Sequence, residues 1–249
     1  MRRSPVQVRT QRRGGARSPP EFARDATTGA TRAALRCSPL DTDLYRWFNR
    51  LADRTTWAHG FFRFYANGGI VLLGLLLIGC YLDAWYHADR PRAAGAIAAG
   101  VSTMVALGIG QLIGNAVERV RPYAAMSDVH VLVSRTTDSS MPSDHATVAG
   151  AIAVGLFLTH RRWGWAAVGA GALMALTRIY VGAHYPSDVL VGLVLGGTVA
   201  AIAQFTLVPL LTKLLTRLGD TPLSVLVTRP SAAQAGESDA ARNASSRAR

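Results

Sequence analysis

The stretch VLVGLVLGGTVAAIAQFTLVPLLT, residues 189–212, contains 24 consecutive residues without a charge. A helix that crosses a bilayer needs about 20 predominantly apolar residues. A second uncharged run of sufficient length occupies residues 93–117. Buried helices of a soluble bundle are the alternative explanation for apolar runs, but two runs of this length favour a polytopic membrane protein.

Three shorter apolar segments lie at 66–82, 145–160 and 163–177. The last two are separated by a basic triplet at 160–162, which predicts a tight helical hairpin. Their alanine and glycine residues favour close contact between helices. The predicted fold is therefore all-α: a polytopic helical membrane bundle with about five transmembrane helices.

An amphipathic segment precedes the first of these spans. Its apolar side chains fall at helical spacing with charged ones between them: Leu44, Trp47, Phe48 and Leu51, with Arg46, Arg50 and Asp53. This pattern predicts an interfacial helix that lies on the membrane surface. The membrane domain is accordingly predicted to cover residues 40–215. The C-terminal tail, 216–249, is predicted to be mostly disordered.

The formal net charge of +12 raises the alternative of a nucleic-acid partner. The N-terminal tail, residues 1–39, holds nine arginines against Glu21 and Asp25 and so supplies +7 of that total. We expect this tail to be disordered and solvated, with anionic lipid contact as the lesser alternative. Translation from a later start would also account for its composition. No nucleic-acid partner is expected.

The basic residues predict how the bundle is oriented. Three connections on one side of the membrane are basic: 83–92, 160–162 and the exit at 213–217. By the positive-inside rule that side is cytoplasmic. The arginine-rich N-terminus would then lie outside, against the same rule, but three short connections agree with one another. The expected location is the bacterial inner membrane, with the opposite end of the bundle on the outer face.

Polar side chains collect at that outer end, where 93–117 and 163–177 finish and where 145–160 and 189–212 begin. They are Arg119, Arg121, Ser143, Asp144, His145, Arg178, His184 and Asp188. Ionisable groups near a membrane are costly and usually functional. Each has an ordinary explanation alone: a snorkelling arginine, a helix cap, an interfacial histidine or a dipole partner. Those explanations do not account for their convergence.

This set of residue types suggests the handling of a phosphate. Arginine forks match phosphate oxygens, and the free N–H groups behind Ser143 form an anion site. His184 and Asp188 lie close in sequence at the start of a helix, so the carboxylate can orient the imidazole for nucleophilic attack. The other histidine can protonate the leaving oxygen. A metal site is a further alternative, but the histidines and aspartates lack a recognisable ligand spacing.

Three motifs resemble the signature of the type 2 phosphatidic acid phosphatase superfamily: RP at 121–122, PSDH at 142–145, and R-x₅-H-x₃-D over 178–188. That superfamily includes lipid phosphatases, undecaprenyl-diphosphate phosphatases, glucose-6-phosphatase and vanadium haloperoxidases. The resemblance covers about residues 40–215. The runs RPY, DSSMPSDHAT and TRIYVGAHYPSD are similar, more narrowly, to the bacitracin-resistance type of undecaprenyl-diphosphate phosphatase.

The resemblance implies a role for each matched residue. Phosphate binding would fall to Arg121, Ser143, Asp144 and Arg178. His184 would attack phosphorus and carry the phosphoryl group, with Asp188 orienting it. His145 would protonate the leaving group and then activate water. The resemblance implies no metal and no cofactor.

Two departures from the family pattern stand out. The family's lysine, seven residues before Arg121, is Gly114 here, and Arg119 or Arg135 is expected to replace the missing cation. Thr177 stands where a serine is usual, which keeps the hydroxyl.

The resemblance implies an integral membrane phosphatase that converts undecaprenyl diphosphate to undecaprenyl phosphate for cell-wall synthesis, through a phosphohistidine. Phosphatidate or phosphatidylglycerophosphate are alternative substrates, so the expected partners are isoprenoid or glycerolipid phosphates and membrane lipid. A non-catalytic lipid-binding protein is a third alternative. The intact His145, His184 and Asp188 argue against it, because a binder needs no nucleophile. A haloperoxidase fits least, because those enzymes are soluble.

Overall fold

The computed structural model describes residues 38–219, which form seven α-helices and one short 3₁₀ turn, Thr56–Ala58. The helices are α1 (Pro39–Arg54), α2 (His59–Tyr86), α3 (Arg90–Val117), α4 (Pro122–Ala125), α5 (Asp144–Thr159), α6 (Arg161–Tyr180) and α7 (Pro186–Gly219). No strand occurs in this range, so the all-α prediction is confirmed. The predicted tails lie outside the described residues, except for 38–39, where α1 begins at Pro39, and 216–219, which belong to α7.

Three helical stretches are long and apolar enough to cross a membrane: Thr56–Tyr86, Arg90–Ala125 and Pro186–Leu218. The apolar helix α5 has 16 residues, which is shorter than the roughly 20 a span needs. It is joined to α6 through His160 alone, as the predicted hairpin requires. The ring Nδ1 of His160 accepts a hydrogen bond from the Arg162 backbone N–H at 3.3 Å and caps the start of α6.

The centre of the bundle is α5, which packs against α3, α6 and α7. Two glycines permit the close approach of α5 and α7. A Cβ at Gly150 would collide with the backbone of Leu193, and one at Gly196 would collide with the backbone of Thr147. This is the close packing that the small residues of the sequence predict.

The amphipathic helix α1 presents a polar face to the protein. Asp41, Tyr45, Asn49 and Ala52 are buried against it. Leu44, Trp47 and Leu51 are exposed on the outer side, as an interfacial helix requires. Phe48 differs from these three, because it packs inward against the cluster that contains Ala146 and Val189.

The direction of the helices separates two ends of the bundle. The connection at 87–89, between α2 and α3, and His160, between α5 and α6, meet at one end around a cavity. That cavity is lined by Asp83, His87, Arg92, His160, Arg162 and Trp163. The C-terminal ends of α3 and α6 and the N-terminal ends of α5 and α7 meet at the other end, about 40 Å away along α3 at 1.5 Å per residue.

Candidate active site

A cavity of about 440 Å³ lies at that second end. Five of the residues singled out from the sequence line it: Arg121, Asp144, His145, Arg178 and His184. They come from three parts of the chain: the segment after α3, the first turn of α5, and the end of α6 with the loop behind it. The structure therefore brings together most of the predicted phosphate-handling residues.

His184 is held in one tautomer by its two neighbours. Its Nδ1 lies 2.7 Å from the carbonyl oxygen of Ser140, which can only accept, so Nδ1 carries the proton. Its Nε2 lies 3.2 Å from Nη1 of Arg121, which can only donate, so Nε2 holds a lone pair. Burial, followed by the positive charges of Arg178 and Arg121, lowers the pKa of His184 well below its usual range. The ring is thus neutral, as a nucleophile must be.

Asp188 does not make the direct hydrogen bond to His184 that the sequence suggested. Its Oδ2 is 3.9 Å from Nδ1 of His184. That oxygen instead accepts from the Ser140 hydroxyl at 2.5 Å and from the backbone N–H of Tyr185 at 2.9 Å. The Ser140 hydroxyl, which comes from 48 residues away, and the backbone N–H at the start of its own helix thus occupy this oxygen in place of the imidazole. Ser140 lies between the two residues, since its hydroxyl donates to Asp188 and its carbonyl accepts from His184.

Arg119 does not line this cavity. It is buried, and its Nη1 donates to Asp188 at 2.6 Å while its Nη2 donates to Asp41 at 2.5 Å. Its guanidinium also stacks 4.4 Å from the centre of the Tyr185 ring. Two carboxylates and an aromatic face hold it behind the site. These contacts do not favour the expectation that Arg119 replaces the family lysine, which stays a prediction.

Arg135 does not fill that place either. It is exposed, and its guanidinium lies 5.8 Å from the centre of the Tyr123 ring, outside the lining of the cavity. Gly114 itself lines the cavity, and the polar side chains beside it on α3 are Gln111 and Asn115. The wall that would carry the family lysine is thus neutral and rich in amides.

Arg121 and Arg178 differ in how they are held. Arg121 donates from Nη2 to the Asp138 carboxylate at 2.9 Å, and from Nη1 to the carbonyl of Ala183 at 3.3 Å. Arg178 is buried, with 8% of its surface exposed, and its Nε has no hydrogen-bond partner among the described residues. A buried donor without a partner is costly. An anion in the cavity would satisfy it.

The N-terminus of α5 forms another wall of the cavity. The first N–H groups of a helix have no partner within the helix and attract anions. The Asp144 carboxylate would repel a phosphate and accepts a hydrogen bond from Gln111 at 3.1 Å, so the backbone N–H of Asp144 is the part of this residue that could bind a phosphate. The Ser143 hydroxyl is fully buried, does not cap the helix, and has no hydrogen-bond partner within 38–219. Ser143 does not line the cavity, so its hydroxyl can contact a phosphate there only after the side chain changes rotamer.

Comparison with known proteins gives the same family as the sequence motifs. The PAP2 superfamily profile matches residues 95–209. The undecaprenyl-diphosphatase BcrC of Bacillus subtilis is 31% identical over 155 residues, which are 62% of this chain and 78% of that protein. This protein belongs to the PAP2 superfamily.

Two further similarities complete the comparison. The decaprenylphosphoryl-5-phosphoribose phosphatase of Mycobacterium tuberculosis is 43% identical over 110 residues, which are 43% of this chain and 59% of that protein. The crystal structure of LpxE from Aquifex aeolicus covers 67% of this chain and 95% of its own, with a TM-score of 0.49 and 24% identity.

Several residues of this PAP2 site carry no signal of their own in the sequence. Ser140 and Asp138 lie just before the PSDH motif, and their position beside it is the one hint available. Ser187 is an ordinary residue of a helix start. Asp41 contacts Arg119 across 78 residues of chain, so no local pattern points to it.

Replacing Arg178 with glutamine is expected to lower kcat/KM about 10- to 100-fold. Hydrogen bonds to charged groups contribute about 1.5–3 kcal/mol, and about 1.4 kcal/mol corresponds to a factor of ten. Folding should survive, because the guanidinium makes no hydrogen bond in the described structure that the change would break. The measurement is phosphate release with Arg162→Gln, at the far end of the bundle, as the control. Equal activity of both variants would remove Arg178 from the site.

Proposed function

We propose that this protein hydrolyses undecaprenyl diphosphate to undecaprenyl phosphate and inorganic phosphate. One observation carries the proposal: the unprotonated Nε2 of His184 lies at a cavity that also presents Arg121 and Arg178. A nucleophile beside two arginines suits attack on a phosphoryl group. The similarity to a bacterial undecaprenyl-diphosphatase supports the substrate.

The reaction would proceed in two displacements. Nε2 of His184 attacks the terminal phosphorus while the bond to the bridging oxygen breaks, and His145 gives that oxygen a proton. Burial and the positive charges of Arg178 and Arg121 lower the pKa of His145 to about 4, so this proton would be taken up together with the anionic substrate. The positive charge that develops on the ring is stabilised by the Ser140 carbonyl at Nδ1 and by Asp188, 3.9 Å away. A water molecule that His145 deprotonates then attacks phosphorus. This breaks the phosphorus–nitrogen bond and frees phosphate and the neutral histidine.

The prenyl chain would leave the cavity between α2 and α3. Asn67 of α2 and Gln111 of α3 line the cavity on that side. Along α3, the apolar side chains of Met104, Val105 and Leu112 are exposed. The exposed apolar surface of a membrane-spanning helix faces the hydrocarbon core of the bilayer, so a prenyl chain can lie against it.

A second candidate substrate is a lipid that carries a phosphate monoester. The neutral wall of Gly114, Gln111 and Asn115 favours it, because a monoester brings less negative charge than a diphosphate and its alcohol can accept hydrogen bonds from amides. Phosphatidate, phosphatidylglycerophosphate and a prenyl-linked sugar phosphate fall in this class. The similarity to a decaprenylphosphoryl-5-phosphoribose phosphatase points the same way.

Phosphate release from a panel of substrates tests these candidates. The panel is undecaprenyl diphosphate, phosphatidate, phosphatidylglycerophosphate and a soluble sugar phosphate, each with EDTA present. We expect the highest kcat/KM for undecaprenyl diphosphate. A preference for a monoester would select the second candidate. Binding of these lipids without any phosphate release would identify a non-catalytic lipid-binding protein.

The active site is proposed to face the outside of a bacterial inner membrane. The support is the basic end of the bundle at Arg90, Arg92, Arg161 and Arg162, which the positive-inside rule assigns to the cytoplasm.

A cysteine at position 161 is expected to react in intact cells with membrane-permeant reagents only. The reason is that Arg161 begins α6 at the basic end, which would lie in the cytoplasm. The labelling background is a Cys37→Ser, Cys80→Ser variant. A cysteine at the exposed position 135, in the loop beside the site, is the matched control and should react with both kinds of reagent. Labelling of position 161 by an impermeant reagent would reverse the orientation.

A further inference from the structure

We infer that Asp41, on the N-terminal helix α1, is a positioning residue for the nucleophile His184, acting through Arg119, Asp188 and Ser140. The inference rests on the proposed function of His184. Asp41 does not line the cavity, so it does not touch substrate.

Asp41 is almost completely buried and uses both carboxylate oxygens. Its Oδ1 accepts from the backbone N–H of Ser187 at 2.9 Å. Its Oδ2 accepts from the Ser187 hydroxyl at 2.6 Å and from Nη2 of Arg119 at 2.5 Å. A buried carboxylate persists only where it is paired in this way, so the first turn of α1 is fixed against the first turn of α7.

The contacts continue from Arg119 to the nucleophile without a gap. Nη1 of Arg119 donates to Oδ1 of Asp188 at 2.6 Å, and Oδ2 of Asp188 accepts from the Ser140 hydroxyl at 2.5 Å. The backbone N–H of Ser140 donates to the carbonyl of Arg119 at 2.8 Å. Ser140 is thus held by its side chain and its backbone. Its carbonyl is the group that receives Nδ1–H of His184 at 2.7 Å.

Other residues of α1 hold the loops around the nucleophile. The hydroxyl of Tyr45 donates to the carbonyl of Gly182 at 3.2 Å, two residues before His184. Asn49 donates to the carbonyl of His130 at 2.7 Å and accepts from its backbone N–H at 3.0 Å. Gly182 has φ of +78°, and a Cβ there would meet the His130 carbonyl at 2.6 Å. These contacts of α1 fix the position of the loop that carries His184.

The charge of Asp41 matters because Arg119 is shared between two carboxylates. With asparagine at position 41, the guanidinium keeps Asp188 as a charged partner and is drawn toward it. That movement would disturb the Asp188–Ser140 hydrogen bond and with it the angle of the His184 ring. Attack on phosphorus depends on that angle, whereas binding of phosphate by Arg121 and Arg178 does not. The predicted result is a loss of kcat with little change in KM.

The test compares Asp41→Asn with Asp43→Asn, a matched control on the exposed side of α1, in the full-length protein with undecaprenyl diphosphate. We expect kcat to fall about tenfold in Asp41→Asn with KM within about twofold, and no change in the control. Orthovanadate adopts the five-coordinate geometry of the transition state on a nucleophile. In Asp41→Asn the inhibition constant of orthovanadate should rise about tenfold, while the inhibition constant of inorganic phosphate stays within about twofold of the wild-type value.

These readouts separate positioning from simple destabilisation, which lowers the fraction of active protein and leaves both inhibition constants unchanged. Should Asp41→Asn fail to fold, Ser187→Ala keeps the charges of Asp41 and Arg119. It removes the hydroxyl that donates to Asp41 at 2.6 Å and accepts from Nη1 of Arg119 at 2.6 Å, so it is expected to shift vanadate inhibition in the same direction. If the wild type is active and the folded Asp41→Asn variant shows unchanged inhibition by vanadate, this inference is overturned and the proposed function stands. A wild type that releases no phosphate from any lipid would overturn the proposed function and this inference with it.

Discussion

Alanine in place of His184 is expected to abolish turnover and the trapping of labelled phosphate on the protein. Among the described residues that line the cavity, His184 has its ring held at both nitrogens, since Nδ1 donates to the Ser140 carbonyl and Nε2 accepts from Arg121. Its lowered pKa keeps it unprotonated at neutral pH and also as the pH falls through 6.5, so it is ready to attack. The measurements are phosphate release and acid-quenched labelling with a ³²P-labelled substrate.

Alanine in place of His145 is expected to slow turnover about 10²–10⁴-fold, the usual contribution of general acid–base catalysis. Labelled phosphate should still be trapped, because the nucleophile remains. The loss should shrink for a nitrophenyl phosphate, whose leaving group needs no proton. His87→Ala, on the cavity at the opposite end of the bundle, is the control for the loss of a histidine.

Two results would contradict this assignment of roles. Full activity of His184→Ala would mean that another group attacks phosphorus. Loss of wild-type activity on treatment with EDTA would mean that a metal ion, rather than Arg121 and Arg178, neutralises the phosphate.

Glutamine in place of Arg119 is expected to destabilise the fold by about 3–5 kcal/mol, the usual cost of removing one partner from a buried ion pair. Asp41 and Asp188 would then lie buried and close together without a cation between them. The measurement is thermal or denaturant unfolding in detergent. Arg135→Gln is the matched control, because Arg135 is exposed, and its effect should stay within about 0.5 kcal/mol.

A double variant sharpens this prediction. Asp41→Asn together with Arg119→Gln removes one buried negative charge along with the cation, so it should recover part of the stability that Arg119→Gln loses. A well-folded Arg119→Gln whose KM rises about tenfold would show instead that this arginine contacts the substrate phosphate, as the sequence first suggested.

The sequence by itself determined the class of the fold and the end of the bundle where the site lies. The lengths of the uncharged runs favoured membrane-spanning helices, because a helix pairs its own backbone groups inside a bilayer core. The alternating direction of successive spans then placed Arg121, His145, Arg178 and His184 together. The order and spacing of the motifs gave the family, and the resemblance gave the role expected of each residue.

Only the tertiary structure decided how the charged groups pair. From the sequence, Arg119 was a candidate to replace the family lysine, because it lies after α3 and two residues before the motif residue Arg121. The difference arises from Asp41, which α1 brings to Arg119 from 78 residues away. Asp188 likewise accepts a hydrogen bond from Ser140, which lies 48 residues away along the chain. Spacing along the chain places side chains at one end of a bundle, but their hydrogen bonds depend on directions set by packing between distant helices.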